Sequence, residues 1–254
     1  MTIDSQIEEL ALSFASIKID EEKIIKIQKC FRGWIVRLKQ LPLIMYKIQK
    51  HLQKQSLTFS SQHEDGRINS CFDEDTIIDI LIKQFDKRIF KPEIRKWYDI
   101  LALDYTYGWI PINVKSTTTK TCDNTGNFAM CVYAYTDEVL ELHKKKSYTN
   151  GNMSVILINK LEKKMYNRIS KKDYYFIIAN KTDPSEIIVN SVKGLTTLTS
   201  NLHNPPFQVR WDENKTFNYK NIKKVIRDFI ICMQNPKPTW FEIFMQKIRT
   251  FEIP

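Results

Sequence analysis

The sequence lacks the cysteine and histidine spacing that structural metal sites and disulfide frameworks need. Its five cysteines form no C-x-x-C pair, and its four histidines do not cluster with them. This pattern argues against a zinc site and against a disulfide-stapled fold, and it favours a reducing compartment. Glycine is also scarce, at 6 residues in 254, and there is no glycine-rich phosphate loop, serine-centred elbow or cysteine–histidine nucleophile pattern. Enzyme classes that depend on those motifs are therefore excluded.

Long apolar runs and targeting signals are absent as well. No apolar run reaches the length of a membrane span. The first ten residues, MTIDSQIEEL, are acidic and unlike a signal or transit peptide. We therefore expect a soluble, intracellular protein with no membrane partner.

The sequence does contain a positive charge excess and enough apolar material for a core. Its 39 Lys and Arg outnumber 29 Asp and Glu, which gives a formal net charge of +10, and 43% of its residues are hydrophobic. A chain of this length can form one large domain with an extension. The charge favours polyanionic partners, above all nucleic acid. Four tryptophans in apolar segments are predicted to lie in the core or at its rim: Trp97, Trp109, Trp211 and Trp240.

Residues 1–55 are predicted to form a helical extension. Apolar residues recur at helical spacing along this stretch. Pro42 should break its second helical segment, because proline cannot continue a helix. Residues 56–69 are polar and predict a linker, so residues 70–254 are predicted to be the main domain.

Helices and strands alternate in the main domain. Residues 70–89 predict a helix that is capped by Ser70 or Asp73. Residues 96–105 and 108–116 follow as two strands joined by a short turn, which predicts a hairpin. A helix, two strands and two helices complete the pattern at 152–169, 173–181, 186–194, 219–234 and 239–251. This order predicts an α/β or α+β fold with a small mixed sheet flanked by helices.

Polar residues in the hairpin form the pattern that points to chemistry. Asn113 and Lys115 alternate with Ile112 and Val114, so the two polar residues share one face of the second strand. Asp99, on the first strand, precedes Lys115 by 16 positions. An acid on one strand and a polar-x-Lys on the next can hold a divalent metal beside a charged amine. Such a metal lowers the pKa of a bound water and stabilises charge on a phosphate, while the lysine orients or deprotonates that water.

The segments WYD, PINVKSTT and DNTGN resemble segments of the PD-(D/E)xK nuclease superfamily, and within it the type II restriction endonuclease-like proteins. In one such group, which includes proteins of large DNA viruses and phages, these segments read roughly WYD, PVNIKSTT and DN. The stretch that starts at KDYYFIIANK is also similar, and the likeness covers about residues 64–250. The resemblance implies a restriction-endonuclease-like αβββαβ core and Mg²⁺ or Mn²⁺ as cofactor. It also implies double-stranded DNA as substrate, a homodimer, and a cytoplasmic or viral-replication location.

One position departs from the pattern of that family. The second acid of the superfamily is Asn113 here, and an amide is a poorer ligand for a hard cation than a carboxylate. The segment INSCFDED, in the helix before the hairpin, resembles the stretch that supplies a helix glutamate in that group, so Glu74 is the candidate that replaces it, with Asp75 as its rival. Glu74 and Asp99 would then hold the metal. Lys115 would position or activate the attacking water, and Asn113 would ligate weakly or orient that water.

The loop after the second strand offers two further candidates, and every candidate has a simpler interpretation. Asp123 and Asn124 are candidates for contact with the metal, a water or the neighbours of the scissile phosphate. They are also ordinary loop residues. In the simpler interpretation, Asp99 at a strand end is a turn former and Lys115 is a solvated charge that protects an edge strand from aggregation. Glu74 in the first turn of a helix is a common partner of the helix dipole.

A second motif lies in the extension. The segment IQKCFRGWIVR, residues 27–37, matches the IQ motif, I-Q-x-x-x-R-G-x-x-x-R, by which calmodulin-like proteins bind a basic amphipathic helix. The same helix could instead pack on the core and lay Arg32 and Arg37 along DNA phosphates, and we prefer this interpretation. A basic loop is either a further DNA contact or a solvated surface, and it contains Lys144, Lys145 and Lys146.

The sequence therefore predicts a Mg²⁺-dependent DNA endonuclease of the site-specific restriction type with a helical N-terminal extension. Hydrolysis would proceed by in-line attack of water on a phosphodiester. The alternative is a protein of another class, which is a non-catalytic DNA-binding module or an IQ-helix interaction protein on a degenerate nuclease fold.

Overall fold

The computed structural model describes residues 21–38, 40–61, 64, 66–93, 96–142, 148–165, 172–201, 206–234 and 242–251. The chain divides into two compact units, Met1–Gln40 and Leu41–Pro254. In the first unit, helix α1 spans Glu21–Leu38, and its Ile25 and Ile27 are exposed. Across the described ranges we find no helix with the length and apolar content that a bilayer crossing requires.

The second unit begins with a helix that packs into the core. Helix α2 spans Leu43–Leu52 and starts directly after Pro42, so the predicted break at Pro42 is confirmed. Its buried side chains are Ile44, Met45, Ile48 and Leu52. These side chains pack with residues of the sheet. The boundary predicted at residues 56–69 is therefore not where the chain divides, because α2 belongs to the main unit.

Helix α3 starts earlier than the sequence predicted. It spans Gly66–Phe85, so its first turn lies within the stretch that was predicted to be a linker. Ser70 and Asp73 are consequently internal residues of this helix, and the prediction that either caps it was wrong. The stretch that was predicted to be a linker is also bonded to this helix through Ser60. Asp73 Oδ1 accepts a hydrogen bond from the backbone N–H of Ser60 at 2.7 Å.

A five-stranded mixed sheet follows the order of the chain. The strands are β1 Ile89–Phe90, β2 Ile100–Asp104, β3 Gly108–Thr117, β4 Tyr175–Asn180 and β5 Ile187–Ser191. The β1/β2, β2/β3 and β4/β5 pairs are antiparallel, and the β3/β4 pair is parallel. The predicted mixed sheet and hairpin are confirmed. The predicted helix over residues 70–89 ran too far, because Ile89 pairs with Ala102 in an edge strand.

Helices cover both faces of the sheet. Helices α2 and α3 pack on one face, against side chains such as Ile112, Val114 and Ile177. The other face, with Phe176 and Ile178, packs with a second group of helices. These are α4 Phe128–Tyr135, α5 Asn150–Glu162, α6 Ile222–Met233 and α7 Glu242–Arg249. The molecule thus has the mixed α+β architecture that the sequence predicted.

The sequence analysis did not predict helix α4. This helix is part of the connection between the parallel strands β3 and β4. Each of its eight residues is buried. A helix that is buried on all sides has no polar face and therefore no amphipathic period to detect. Its start is fixed by Asn127, whose side chain accepts a hydrogen bond from the backbone N–H of Met130 at 2.7 Å.

Candidate active site at the end of strand β3

Strand β3 places three polar side chains on one face. Asn113, Lys115 and Thr117 are half-buried, whereas Val114 and Ser116 are buried on the opposite face. The alternation of side chains along a strand produces this arrangement. The predicted shared face of Asn113 and Lys115 is therefore observed.

Glu74 reaches this face from helix α3. Its Oε1 lies 3.7 Å from Nζ of Lys115 and accepts a hydrogen bond of 3.4 Å from the backbone N–H of Ser116. The Lys115 and Glu74 side chains are 26% and 21% exposed, so solvent can still reach both groups. The structure therefore brings together two residues that the sequence reasoning had selected from separate elements.

Asp99 lies directly before β2 and beside the same strand. Its Oδ2 accepts a hydrogen bond of 2.8 Å from the backbone N–H of Val114, and its own N–H donates to Ile112 O at 3.0 Å. Burial raises the pKa of Asp99, while the Val114 N–H and the Lys115 ammonium oppose that rise. The carboxylate is thus held next to the residue that precedes Lys115.

Asp123 approaches from the loop after β3. Its Oδ1 accepts a hydrogen bond from Thr117 Oγ1 at 3.1 Å, and its Oδ2 accepts one from the indole N–H of Trp211 at 2.8 Å. Burial raises the pKa of Asp123, and the charge of Lys115 and these two bonds lower it. The sequence predicted Trp211 as core, and it is fully buried, but its role as a donor to Asp123 was missed. Thr117 was also missed, although its position two residues after Lys115 places it on the same face.

Lys115 interacts electrostatically with three carboxylates, those of Glu74, Asp99 and Asp123. Burial is the largest cause of the raised pKa of each. For Glu74, burial and the negative charges of Asp99 and Asp123 outweigh Lys115 and raise its pKa from 4.5 to about 7. Three carboxylates around one lysine leave an excess of negative potential in a partly buried site, which favours the binding of a cation.

Asn113 contributes an oxygen that is not used within the protein. Its Oδ1 is buried and has no hydrogen-bond partner among the described residues. Burial raises the pKa of Tyr174 and the Asn113 side chain opposes that rise, which indicates that the amide nitrogen of Asn113 faces the Tyr174 hydroxyl. The Tyr174 hydroxyl donates to Trp97 O at 2.9 Å, and the two rings stack with centroids 5.6 Å apart. The orientation of the amide is thereby fixed, with its oxygen left available.

Asp73, the residue before Glu74 in helix α3, forms an ion pair with Lys181 that the sequence analysis did not predict. Oδ2 of Asp73 lies 3.0 Å from Nζ of Lys181, and it accepts a hydrogen bond from Ser116 Oγ at 3.0 Å. The Asp73 side chain is 3% exposed. Its position four residues before the buried Ile77 is the sequence signal that could have placed it on the core side of the helix. This contact ties α3 to the ends of β3 and β4.

Asp75, the rival of Glu74, points to the surface. Its side chain is 64% exposed, and its Oδ1 lies 3.0 Å from Nζ of Lys91. Its charge contributes to the raised pKa of Asp99, but as the smallest of the causes. Glu74 is therefore the acid of this helix that contacts Lys115.

The side-chain oxygen of Asn124 bonds within the fold. Its Oδ1 accepts hydrogen bonds from Asn201 Nδ2 at 2.6 Å and from Gln208 Nε2 at 2.9 Å. These contacts tie the loop after β3 to the segment that carries Trp211. Asn124 thus supports the loop of Asp123.

Of the five predicted DNA-contact residues, Arg32 alone has a side chain that the structure describes. Lys144, Lys145 and Lys146 lie outside the described residues. Arg32 is exposed on α1, in the unit Met1–Gln40, and the side chain of Arg37 lies outside what the structure describes.

The site contains oxygen atoms of the kind that a hard divalent cation prefers as ligands. Glu74 and Asp99 supply carboxylates, and Asn113 supplies the unpartnered amide oxygen on the face of Lys115. Within the described ranges, no group of three or more His, Cys, Asp or Glu side chains is placed to hold a metal ion. Mg²⁺ is commonly bound by one or two carboxylates together with waters and substrate phosphates, so two carboxylates suit this ion better than zinc.

No protein-family model matches this chain, and neither does any curated protein or solved structure. The functional interpretation therefore depends on the residues and their geometry.

Proposed function

We propose that this protein is a divalent-metal-dependent DNA endonuclease whose active site is formed by Glu74, Asp99, Asn113 and Lys115. The observation that carries the proposal is the position of Lys115. Its Nζ lies 3.7 Å from Glu74 and interacts electrostatically with two further half-buried carboxylates, those of Asp99 and Asp123. A lysine beside clustered carboxylates is suited to phosphodiester hydrolysis, in which negative charge grows on the phosphate.

The order of the elements supports the same proposal. Helix α3, strands β1 to β3, helices α4 and α5, and strand β4 follow one another along the chain. Apart from the additional helix between β3 and β4, this order is the one expected for the αβββαβ core that the resemblance to restriction endonuclease-like proteins implies. Glu74 would occupy the helix position, Asp99 the start of the second strand, and Lys115 the third strand.

Glu74 and Asp99 would hold Mg²⁺ or Mn²⁺, with the Asn113 oxygen as a neutral third donor. When bound, such an ion supplies Lewis-acid activation of water and neutralises charge on the phosphate. Asn113 gives the site one negative charge fewer than an acid at that position would. Asp123, held by Thr117 and Trp211, adds negative potential near Lys115.

The chain itself would orient the water and the phosphate. Lys115 has three donor hydrogens and can bond an attacking water or a non-bridging phosphate oxygen. Burial and the charges of Asp99 and Asp123 raise the pKa of Glu74 to about 7 in the metal-free protein, so a cation held by Glu74 would displace its proton at neutral pH. The excess of 39 Lys and Arg over 29 Asp and Glu favours a polyanionic substrate.

The test is cleavage of supercoiled plasmid and of RNA with Mg²⁺, Mn²⁺ or EDTA, using the native protein, Lys115→Ala and Asp99→Asn. Asp75→Asn is the matched control, because it removes a carboxylate from the residue next to Glu74 that faces solvent. We expect metal-dependent DNA cleavage that is lost in the two site variants and kept in the control. Intact DNA with native protein in every metal would overturn the proposal, and cleavage of RNA alone would change the substrate.

A second candidate function is DNA binding without cleavage. It is favoured by Asn113 in the position of an acid and by the absence, within the described ranges, of a three-acid metal cluster. In this case the native protein would retard DNA on a gel without cutting it, and Lys115→Ala would change binding no more than Asp75→Asn does.

A further inference from the structure

The net positive charge of this chain is concentrated in one segment. Residues 23–63 contain nine of the 39 Lys and Arg and none of the 29 Asp and Glu. The rest of the chain therefore holds 30 basic residues against 29 acidic ones and is close to neutral. The binding of a polyanion should consequently depend on this segment more than on the rest of the surface.

Helix α2 carries part of this charge on the main unit. Lys47 and Lys50 are one turn apart, Lys54 follows just after the helix, and all three side chains are exposed. In the part of the chain that the structure describes, none of the three ammonium groups has an ion-pair or hydrogen-bond partner. Some lysines elsewhere are paired with acids, as Lys160 is with Asp137 at 2.9 Å.

Helix α1, in the other unit, belongs to the same acid-free segment. Its Lys26, Lys29 and Arg32 are exposed. The exposed positive charge of residues 23–63 is therefore present in both units.

The burial of the apolar side of α2 favours nucleic acid over an anionic membrane surface as the polyanion that this helix binds. A helix that binds a membrane surface inserts its apolar face into the lipid. In α2 that side is already buried in the core through Ile44, Met45, Ile48 and Leu52. A phosphate backbone requires only exposed cationic groups, so nucleic acid is the better match.

We propose that the basic face of α2, formed by Lys47, Lys50 and Lys54, binds the phosphate backbone of DNA. This surface would hold the substrate of the proposed nuclease, and the choice of DNA rests on that proposed function. The contacts are to phosphate and carry no sequence information, so they supply affinity and not specificity.

The test is the salt dependence of binding to a short labelled duplex, measured by fluorescence anisotropy in EDTA so that cleavage does not interfere. The variant is the triple change Lys47→Gln, Lys50→Gln and Lys54→Gln. The matched control removes the same charge from three exposed lysines in or directly after helices on the opposite face of the sheet, through Lys163→Gln, Lys223→Gln and Lys224→Gln. All six residues are exposed, so thermal melts of both variants should match that of the native protein.

Each lost phosphate contact lowers the slope of log affinity against log salt by about 0.9 for duplex DNA. We expect the α2 variant to lose about 2 to 3 from the magnitude of this slope, and the control to keep it. An unchanged slope in the α2 variant, or an equal loss in both variants, would overturn the proposal. Tighter binding of the native protein to vesicles of phosphatidylcholine and phosphatidylserine than to DNA, lost in the α2 variant, would overturn the choice of nucleic acid.

The outcomes separate this surface from the active site. A slope that falls only in the α2 variant, with no cleavage by native protein, would support the surface and reject the nuclease. Cleavage by native protein with an unchanged slope in the α2 variant would reject the surface alone.

Discussion

Nζ of Lys181 lies 3.0 Å from Oδ2 of Asp73, which immediately precedes Glu74 in helix α3. Two residues further along the helix, Asp75 forms an ion pair of the same length with Lys91. The two aspartates differ in burial, since their side chains are 3% and 64% exposed. Only the first pair fixes the helix against the end of the sheet.

This difference predicts unequal effects of the same substitution. Asp73→Asn leaves Lys181 with reduced compensation near the core and should lower the free energy of unfolding by about 3 kcal/mol. Asp75→Asn should lower it by less than about 1 kcal/mol, because exposed ion pairs contribute little. Urea denaturation of the two variants measures both values. Equal losses would show that the Asp73 pair does not anchor the helix.

Glu74→Gln should stabilise the metal-free protein at alkaline pH. The pKa of Glu74 is about 7 in the folded protein, against 4.5 without its surroundings. Below pH 4.5 the group is protonated in both states, so native protein and variant should be equally stable. As the pH rises to 7 and beyond, the folded state must carry a disfavoured charge, and the native protein loses on the order of 3 kcal/mol relative to the variant.

Denaturation in EDTA at a series of pH values measures this effect. Gln keeps an oxygen that can accept the hydrogen bond from Ser116, so the comparison isolates the charge. A stability difference that stays constant from pH 4 to pH 8 would contradict the pKa assigned to Glu74.

Divalent metal should stabilise the native protein at pH 8. A ligand that binds only the folded state adds about 2.7 kcal/mol at one hundred times its dissociation constant. We therefore expect Mg²⁺ or Mn²⁺ to raise the melting temperature of the native protein and of Asp75→Asn, but not that of Asp99→Asn. At pH 6 the effect should shrink, because protons compete for Glu74. Scanning calorimetry provides the test, and an equal shift in all three proteins would indicate binding elsewhere.

Asn113→Asp should strengthen metal binding. The change keeps the shape of the side chain and gives the site a charged oxygen in place of the unpartnered Oδ1. We expect at least about tenfold tighter binding of Mn²⁺, which corresponds to about 1.4 kcal/mol. Asn113→Ala serves as the control, because it removes the oxygen. Isothermal titration calorimetry measures both affinities, and an unchanged affinity in the Asp variant would place the metal away from this oxygen.

Local sequence patterns predicted much of the site. The period of two along β3 is sufficient to place Asn113 and Lys115 on one face, because alternation is a property of a single strand. Glu74 was selected from the resemblance of its segment to known nucleases, and it lies beside Lys115. The mixed sheet followed from the alternation of helices and strands.

The contacts that support the site were not predictable in this way. Trp211 donates to Asp123 from 88 positions away, and Lys181 reaches Asp73 from the turn after β4. No local period encodes such contacts, since they arise only when the sheet is assembled. The two-residue strand β1 is similarly too short to show a period, and helix α4 has no polar face.

The separation along the chain between the hairpin and Trp211 also determines the order in which the contacts of the site form during folding. The hairpin of β2 and β3 closes over a three-residue turn, so Asp99 and Lys115 can meet early and locally. The hydrogen bond from Trp211 to Asp123 forms later, because it closes a loop of 88 positions and contacts between distant residues form slowly. On a ribosome, the emerging hairpin would therefore present its lysine and first carboxylate well before the tryptophan that completes the surroundings of Asp123 exists.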